Sequence, residues 1–181
     1  MKFLLNKLKG YSPLYLIRLE VEAWCFMLFS PVPGTLGFLS RWFLGKVFFK
    51  RSHGFQWIQP SIVFVHTDRI SVGTNVGINS NCYINGVGEI DIGDYVLIGN
   101  NVTISSGKHP IDNQSPSIFS RPTVPMKISI ESGVWIGSGA VILPGITLGE
   151  GSVVGANSVV TKNTEPYSIN VGIPAKLIRY R

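Results

Sequence analysis

Residues 130–165 read IESGVW IGSGAV ILPGIT LGEGSV VGANSV VTKNTE, and this stretch repeats itself every six residues. The first position of each unit is Ile, Leu or Val, the fifth is small or branched, and turn-forming residues occupy the third and fourth positions. A helix would need apolar residues at a period of about 3.6, which these units do not show. The period instead predicts a short strand followed by a tight corner.

A single unit of this length cannot bury its aliphatic side chain, so the units must stack into a solenoid with a shared core. The unit that begins at Ile84 carries two additional residues. The same pattern precedes the quoted stretch, with first positions at Val72, Ile78, Ile84, Ile92, Ile98 and Ile104. We therefore predict an all-β fold, a parallel β-helix over residues 53–181, preceded by an apolar and basic helical segment at residues 1–52.

The repeat stops after Ile104 and resumes at Ile130, 26 positions later, and this spacing is not a multiple of six, so the register changes. This interval contains SSGKHPID at residues 105–112, followed by three more prolines. We predict a loop at about residues 105–128 that leaves the solenoid wall and returns to it, and long loops in compact domains usually carry function. Pro110 also restricts the backbone of His109 to extended conformations.

Four segments make the repeat more specific: VWIG at residues 134–137, LPG at 143–145, VTK at 160–162 and GIPAK at 172–176. With them the chain resembles the hexapeptide-repeat acyltransferases, and its second half resembles the sugar O-acetyltransferases of the maltose and galactoside type and their relatives in polysaccharide synthesis. The resemblance implies a left-handed coil. It also implies a homotrimer whose active sites lie between subunits.

In the family that the chain resembles, a histidine after the corresponding unit acts as general base, and His109 is the matching residue. Acyl transfer to an alcohol needs a base because a hydroxyl that keeps its proton is a poor nucleophile, and imidazole titrates near neutral pH. His53 and His66 lack this context and are expected to be structural or surface residues. Gaps of 13 and 43 residues between the histidines do not match the zinc ligands of γ-class carbonic anhydrases, so no metal is expected.

The resemblance also implies that acetyl-CoA is the acyl donor. Its pantetheine arm would lie where small residues leave room, and its phosphates would contact basic side chains. The small residues have a second explanation as corner formers, and the tryptophan either flanks the thioester or covers the core. The predicted cofactor-binding residues are Trp135, Gly137, Gly139, Ala140, Gly155, Ala156, Lys162, Lys176 and Arg179.

The acceptor is expected to bind near the units that precede the break, where family members use Asn or Asp. Asn79, Asn81 and Asn85 lie in these units. We favour Asn85, because the two additional residues of its unit would give it freedom to project. Asp112 would orient His109 or bind sugar hydroxyls. Cys82 occupies the fifth position of a unit, which predicts an inward, buried and unreactive thiol.

The first third of the chain is apolar and basic. Residues 1–52 hold eight Lys or Arg against two acids, whereas residues 53–181 hold eight of each, so the net charge of +6 lies in the first third. Two apolar helices are predicted at about residues 14–29 and 36–49, joined by a bend at residues 31–34. The helices would lie on an anionic membrane surface, pack against the solenoid or a partner subunit, or span a bilayer. The cations assigned to the membrane interpretation are Arg41, Lys46, Lys50 and Arg51.

These observations lead to one expected function and two alternatives. We expect a CoA-dependent O-acetyltransferase that acts on a sugar hydroxyl in the assembly of a cell-surface polysaccharide or glycolipid. The alternatives are N-acetylation of an amino sugar and a non-catalytic scaffold at the membrane. Two cysteines without a CxxC motif favour the cytoplasm, at the inner face of the membrane if the helices bind there. Nucleic acid is not expected, because long apolar side chains separate the basic residues.

Overall fold

The computed structural model describes residues 12–111, 117–118 and 121–181, and it shows two helices followed by a parallel β-helix. Helix α1 spans Pro13–Phe29 and helix α2 spans Gly34–Phe48, close to the predicted bounds. The strands are β1 Arg51–Ser52, β2 Gln56–Ile58, β3 Val63–Val65, β4 Ile70–Val72, β5 Val76–Ile78, β6 Tyr83–Asn85, β7 Ile90–Ile92, β8 Leu97–Ile98, β9 Thr103–Ser105, β10 Gly107–Lys108, β11 Val124–Pro125, β12 Ile128–Ile130, β13 Trp135–Ile136, β14 Val141–Ile142, β15 Thr147–Leu148, β16 Val153–Val154, β17 Val159–Val160, β18 Ser168–Gly172 and β19 Ala175–Tyr180.

Most of these strands stack into three parallel sheets, which form the three walls of the solenoid. Sheet 1 has the order β1-β4-β7-β12-β15, and sheet 3 has the order β3-β6-β9-β14-β17. Sheet 2 has the order β2-β5-β8-β13-β16-β18 and ends with β19, which pairs antiparallel to β18. Each coil passes from sheet 1 to sheet 2 to sheet 3. The predicted all-β solenoid is confirmed.

The coils differ in length between the two halves of the solenoid. In sheet 1, Ser71 pairs with Asp91, 20 positions later, whereas Ser129 pairs with Thr147, 18 positions later. Three hexads make the shorter coil, and the longer one contains the additional residues that the sequence shows after Ile84. Asp91 pairs with Ser129, 38 positions later, so this coil holds 20 residues more than a regular one. The predicted loop supplies these residues, and β10 and β11 form a short antiparallel ribbon within it.

Inward aliphatic side chains fill the interior in layers. In sheet 2, five of them stack in register and are completely buried: Ile58, Ile78, Ile98, Ile136 and Val154. Burying one such side chain contributes about 1.5–3 kcal/mol relative to leaving it in water. Cys82 is buried as predicted, and burial raises the pKa of its thiol above the usual value.

The outer surfaces of the three sheets differ in polarity. Sheet 1 presents polar side chains: Ser71, Asp91, Ser129 and Thr147. Sheet 2 presents Trp57, Leu97 and Trp135 in one register row, and each remains about half exposed, at 53, 46 and 52%. Sheet 3 presents Val63 and Tyr83, which are also exposed. Two of the three walls therefore have an apolar outer surface.

The two helices pack against the beginning of the solenoid. Ser12 caps α1 by accepting a hydrogen bond from the backbone N–H of Tyr15 at 3.2 Å. Phe26 of α1 packs with Leu44 and Phe48 of α2, and α2 contacts β1 and β2. In the described part of the chain, neither helix has the length and apolar character that crossing a membrane requires. The division at residue 52 stays a prediction, and β1 on its N-terminal side already pairs with β4.

The buried guanidinium of Arg41 joins the helices to the solenoid. Its Nε donates a hydrogen bond to the carbonyl oxygen of Ile58 at 2.8 Å, and its Nη1 donates to that of Val32 at 2.7 Å. Nη1 also contacts the carbonyl oxygens of Phe29 and Ser30, which end helix α1 and lack partners within that helix. The prediction that Arg41 flanks α2 towards a membrane is therefore wrong, because these carbonyl groups draw the side chain inward.

Arg41→Leu should lower the free energy of unfolding by about 2–4 kcal/mol, because each hydrogen bond from a charged donor contributes about 1.5–3 kcal/mol and the carbonyl groups would stay buried. Urea unfolding at one fixed protein concentration measures the change. Arg51→Leu is the matched control, since Arg51 is exposed, and it should change the free energy by less than about 0.5 kcal/mol. Equal losses in the two variants would contradict the role of Arg41.

Candidate active site

The corners between sheet 3 and sheet 1 are irregular in three successive coils. The first contains a 3₁₀ turn at Thr67–Arg69, the second contains the expanded unit at residues 86–89, and the third is the loop between β9 and β12. These corners stack along one edge of the solenoid, because the strands that flank them pair in register. The loop therefore leaves the solenoid directly beside the expanded unit.

Ser106 fixes the point where the loop leaves and returns. Its hydroxyl donates a hydrogen bond to the carbonyl oxygen of Asn85 at 2.9 Å and accepts one from the N–H of Gly88 at 2.8 Å. Its carbonyl oxygen accepts a hydrogen bond from the N–H of Met126, directly after β11, at 2.7 Å. A side chain at residue 88 would collide with Ser106 and Met126, so glycine is required for this close approach. Both ends of the loop are thereby tied to the second coil.

His109 follows the ribbon directly, and its side chain is exposed. On one side the pairing of Gly107 and Lys108 with β11 holds the backbone. On the other side Nη1 of Arg121 donates a hydrogen bond to the carbonyl oxygen of Pro110 at 2.7 Å. The histidine is thus held at the base of the loop, with its ring open to a ligand. Its role as general base stays a prediction.

Asn85 lies beside the loop exit, since it pairs with Ser105 across β6 and β9. Its Oδ1 accepts a hydrogen bond from the N–H of Val87 at 3.1 Å, and the carbonyl oxygen of Val87 accepts one from Arg69 at 2.7 Å. The expanded unit is therefore tied down, contrary to the freedom expected of it. Asn85 stays a predicted contact of the acceptor, and its strand partner Ser105 directly precedes the loop exit. The other predicted contact, Asp112, lies outside the described residues.

The predicted small residues of the cofactor site belong to the regular corners. The backbone N–H groups of four of them donate to carbonyl groups of this chain, so they support the ladder: Gly137, Gly139, Ala140 and Gly155. The side chain of Ala140 points into the core, whereas Ala156 is exposed. A side chain at Gly137, Gly139 or Gly155 would collide with Ala156, Asn157 or Val171 of the next coil, so these glycines permit the close stacking of the coils. The cofactor role of the small residues stays a prediction.

The basic residues of the predicted cofactor site lie at the last coil. Lys162 and Lys176 border one groove of about 260 Å³, together with Asn163 and Glu165. Arg179 is exposed on β19 and donates to the carbonyl oxygen of Tyr180. The structure thus brings the two lysines together, as phosphate binding would need.

Trp135 does not cover the core, because its side chain points outward from sheet 2. The loop that carries His109 leaves from the edge between sheet 3 and sheet 1. Sheet 2 is the wall across from that edge in a three-sided solenoid. Within one chain, His109 and Trp135 are therefore on different sides.

Comparisons with known proteins agree with this architecture. The family described as bacterial transferase hexapeptide (six repeats) matches residues 127–162. A maltose O-acetyltransferase from Clostridium difficile has 31% identity and a TM-score of 0.84, covering 93% of this chain and 89% of its own. A galactoside acetyltransferase in complex with coenzyme A has 31% identity and a TM-score of 0.83, with coverages of 95% and 84%.

A hexapeptide-repeat acetyltransferase from Vibrio cholerae, complexed with acetyl-CoA, has 28% identity and a TM-score of 0.84, covering 95% of this chain and 91% of its own. No curated protein matches the chain significantly. The repeat, the three-sheet solenoid and these similarities define a left-handed β-helical transferase. The chain belongs to the hexapeptide-repeat acyltransferases. It is thus an enzyme, and the alternative of a non-catalytic scaffold is set aside.

Sequence reasoning missed Ser106 and Arg121, which hold the loop. Ser106 bonds Asn85 and Gly88, 21 and 18 positions away, and Arg121 bonds Pro110, 11 positions away. These partners lie in the expanded unit and in the loop, where the six-residue period does not hold. The one available signal for Ser106 was the expanded unit, whose glycine implies close approach by another segment. Nothing in the sequence distinguishes Arg121 from a solvated surface arginine.

Arg121→Ala should lower kcat by about 10-fold or more, because displacement of a reacting group by about 1 Å has large kinetic effects. Steady-state kinetics measure kcat, and thermal unfolding shows whether the fold survives. Arg121→Lys should recover part of the loss. Arg181→Ala is the matched control, since Arg181 makes the same kind of bond to the carbonyl oxygen of Gly151, at the last coil. An unchanged kcat in Arg121→Ala would contradict the positioning role.

Proposed function

We propose that this protein transfers the acetyl group of acetyl-CoA to a hydroxyl group of a sugar, in the assembly of a cell-surface polysaccharide or glycolipid. The observation that carries the proposal is the exposed His109, held at the base of the one long loop in the described solenoid. Structures with 31% identity include acetyltransferases named for maltose and for galactosides, which supports a sugar acceptor.

The proposed reaction is a direct transfer with His109 as general base. Its imidazole accepts the proton of the acceptor hydroxyl while the hydroxyl oxygen attacks the thioester carbonyl carbon. The resulting tetrahedral intermediate collapses with cleavage of the carbon–sulfur bond. The imidazolium then returns the proton to the departing thiolate, so that the products are the acetyl ester and free CoA. Asn85 and Asp112 are the proposed contacts of the acceptor.

Acetyl-CoA is the proposed donor, because two of the similar structures contain acetyl-CoA or CoA. The groove beside Lys162 and Lys176 offers two cations for its phosphate groups, with Arg179 close along the chain. Glu165 also borders this groove, so the lysines must offset one negative charge there. Trp135 is the proposed contact for the thioester end, since its ring faces outward from sheet 2.

A homotrimer with active sites between subunits is part of the proposal. His109 and Trp135 are on different sides of one chain, so a site that uses both requires a second copy. The apolar outer surfaces of sheets 2 and 3 are suitable for covering by other copies, whereas the polar surface of sheet 1 is suited to water. The catalytic site would then combine the loop of one subunit with sheet 2 of the next.

His109→Ala should lower kcat by about 100-fold or more, because it removes the base that ionises the acceptor. A thiol-release assay with acetyl-CoA measures turnover, using a panel of free sugars, nucleotide sugars and lipid-linked saccharides. CoA binding and thermal unfolding should stay unchanged. His53→Ala is the matched control, as His53 is an exposed histidine on the first coil. Full turnover in His109→Ala would refute the mechanism. If none of the saccharides in the panel supported thiol release by the unchanged protein, the sugar assignment would be refuted.

Leu97→Glu should convert the trimer to a smaller species and abolish most activity, because it places a charge within the apolar row of sheet 2. Light scattering after gel filtration compares the mass with that of three 19.8 kDa chains. The matched control is Thr147→Glu on the polar outer surface of sheet 1, which should remain trimeric and active. A Leu97→Glu variant that is monomeric and fully active would show that the site is complete within one chain.

A further inference from the structure

Two apolar stripes run along the sides of helices α1 and α2 that do not face the solenoid. The residues of each stripe follow one another at intervals of three or four positions, so they share one side of their helix. The first stripe consists of Leu14, Ile17, Val21, Trp24 and Leu28, which are between 49 and 79% exposed. The second consists of Leu36, Leu39, Phe43 and Val47, which are between 45 and 79% exposed.

Neither stripe is needed for the packing of the helices on the solenoid. The opposite sides of the helices already supply the buried contacts, through Phe26 on α1 and through Leu44 and Phe48 on α2. The helices are therefore apolar on two sides, although a helix at a protein surface normally turns a polar side to water. Glu20 is the one charged residue among the exposed positions of α1. Large exposed apolar patches of this kind mark interaction surfaces.

The charges around the stripes are positive and only partly compensated. Arg18 and Lys46 donate hydrogen bonds to the carbonyl oxygens of Phe48 and Ser52, and a carbonyl group leaves the cation with its full charge. Lys50 is paired with Glu89, whereas Arg51 is exposed. The carboxyl group of Glu22 is buried, and burial raises its pKa. The sequence before Ser12 adds Lys2, Lys7 and Lys9 and no acidic residue.

Shape and charge together favour one occupant. Helix α1 has 17 residues and is about 25 Å long, shorter than the hydrocarbon core of about 30 Å, so it suits a position in the membrane interface. Trp24 is the kind of side chain that favours this interface. A second copy of the chain would bring the same positive charge to the stripes and be repelled, whereas an anionic lipid surface attracts each basic residue by about 1 kcal/mol.

We propose that the two apolar stripes bind the surface of an anionic lipid bilayer, with helices α1 and α2 lying in the interface. The first coil of the solenoid would then be the coil nearest to the membrane, because α2 packs against β1 and β2. This surface does not depend on the acyl-transfer reaction, so the proposal stands or falls separately from the proposed function.

Sedimentation with lipid vesicles tests the proposal on the full chain. The probes are vesicles of phosphatidylcholine alone and vesicles in which about one third of the lipid is phosphatidylglycerol. The chain should sediment with the anionic vesicles and at least about 10-fold less with the neutral ones, and added salt should reduce its binding. The double variant Trp24→Glu with Leu28→Glu should lose at least about 10-fold of the binding, because two carboxylates would enter the interface.

Ile178→Glu is the matched control, since Ile178 is an exposed aliphatic residue on β19, at the opposite end of the solenoid. It should sediment with anionic vesicles like the unchanged chain. Circular dichroism and thermal unfolding should be the same for all three proteins. Equal sedimentation of the double variant and the control would overturn the proposal. Failure of the unchanged chain to bind either kind of vesicle would also overturn it. A double variant that changed only by having a smaller mass in solution would overturn it too, because the stripes would then join copies of the chain.

Discussion

The structure depends on the stacking of each inward aliphatic side chain on its equivalents in the coils above and below. Strands of two or three residues make too few hydrogen bonds to hold a coil alone, so the coils persist only as a stack. The row Ile58, Ile78, Ile98, Ile136 and Val154 shows that the stack passes through the long coil without interruption. A loop of 20 additional residues is tolerated because it leaves at a corner, where no core side chain has to move.

The corners between sheets 3 and 1 gather the irregular parts of the molecule at one edge. At the first corner, the hydroxyl of Tyr15 on α1 donates to the carboxylate of Asp68 at 3.3 Å. The neighbouring Arg69 bonds the carbonyl oxygen of Val87 in the second corner. From there Gly88 donates to Ser106, where the loop leaves. A continuous series of contacts thus joins the helices to the base of the candidate site.

The period of the sequence predicted the layers of the core and the place of the break, because each layer repeats the same chemistry at a fixed interval. His109 drew attention because it stands where that interval fails, and its role as general base, which the family resemblance implies, stays a prediction. The period carries no information about contacts between irregular segments. Ser106 and Arg121 therefore escaped prediction. Asn85 lies beside the loop exit, and the expanded unit that was expected to free it instead holds its side-chain amide.

Arg41 shows why charge in an apolar helix is ambiguous at the level of sequence. An arginine among Leu, Phe and Trp is equally compatible with a lipid headgroup and with a set of carbonyl groups that end another helix. The bend at residues 31–34 decides between them, because it returns the end of α1 to within reach of α2 and leaves its carbonyl groups without helical partners. By binding them, Arg41 ties the end of α1 to α2 and to the solenoid. The sequence alone suggested that Arg41 would contact a membrane directly. In the structure its buried cation instead holds together the two helices that carry the apolar stripes.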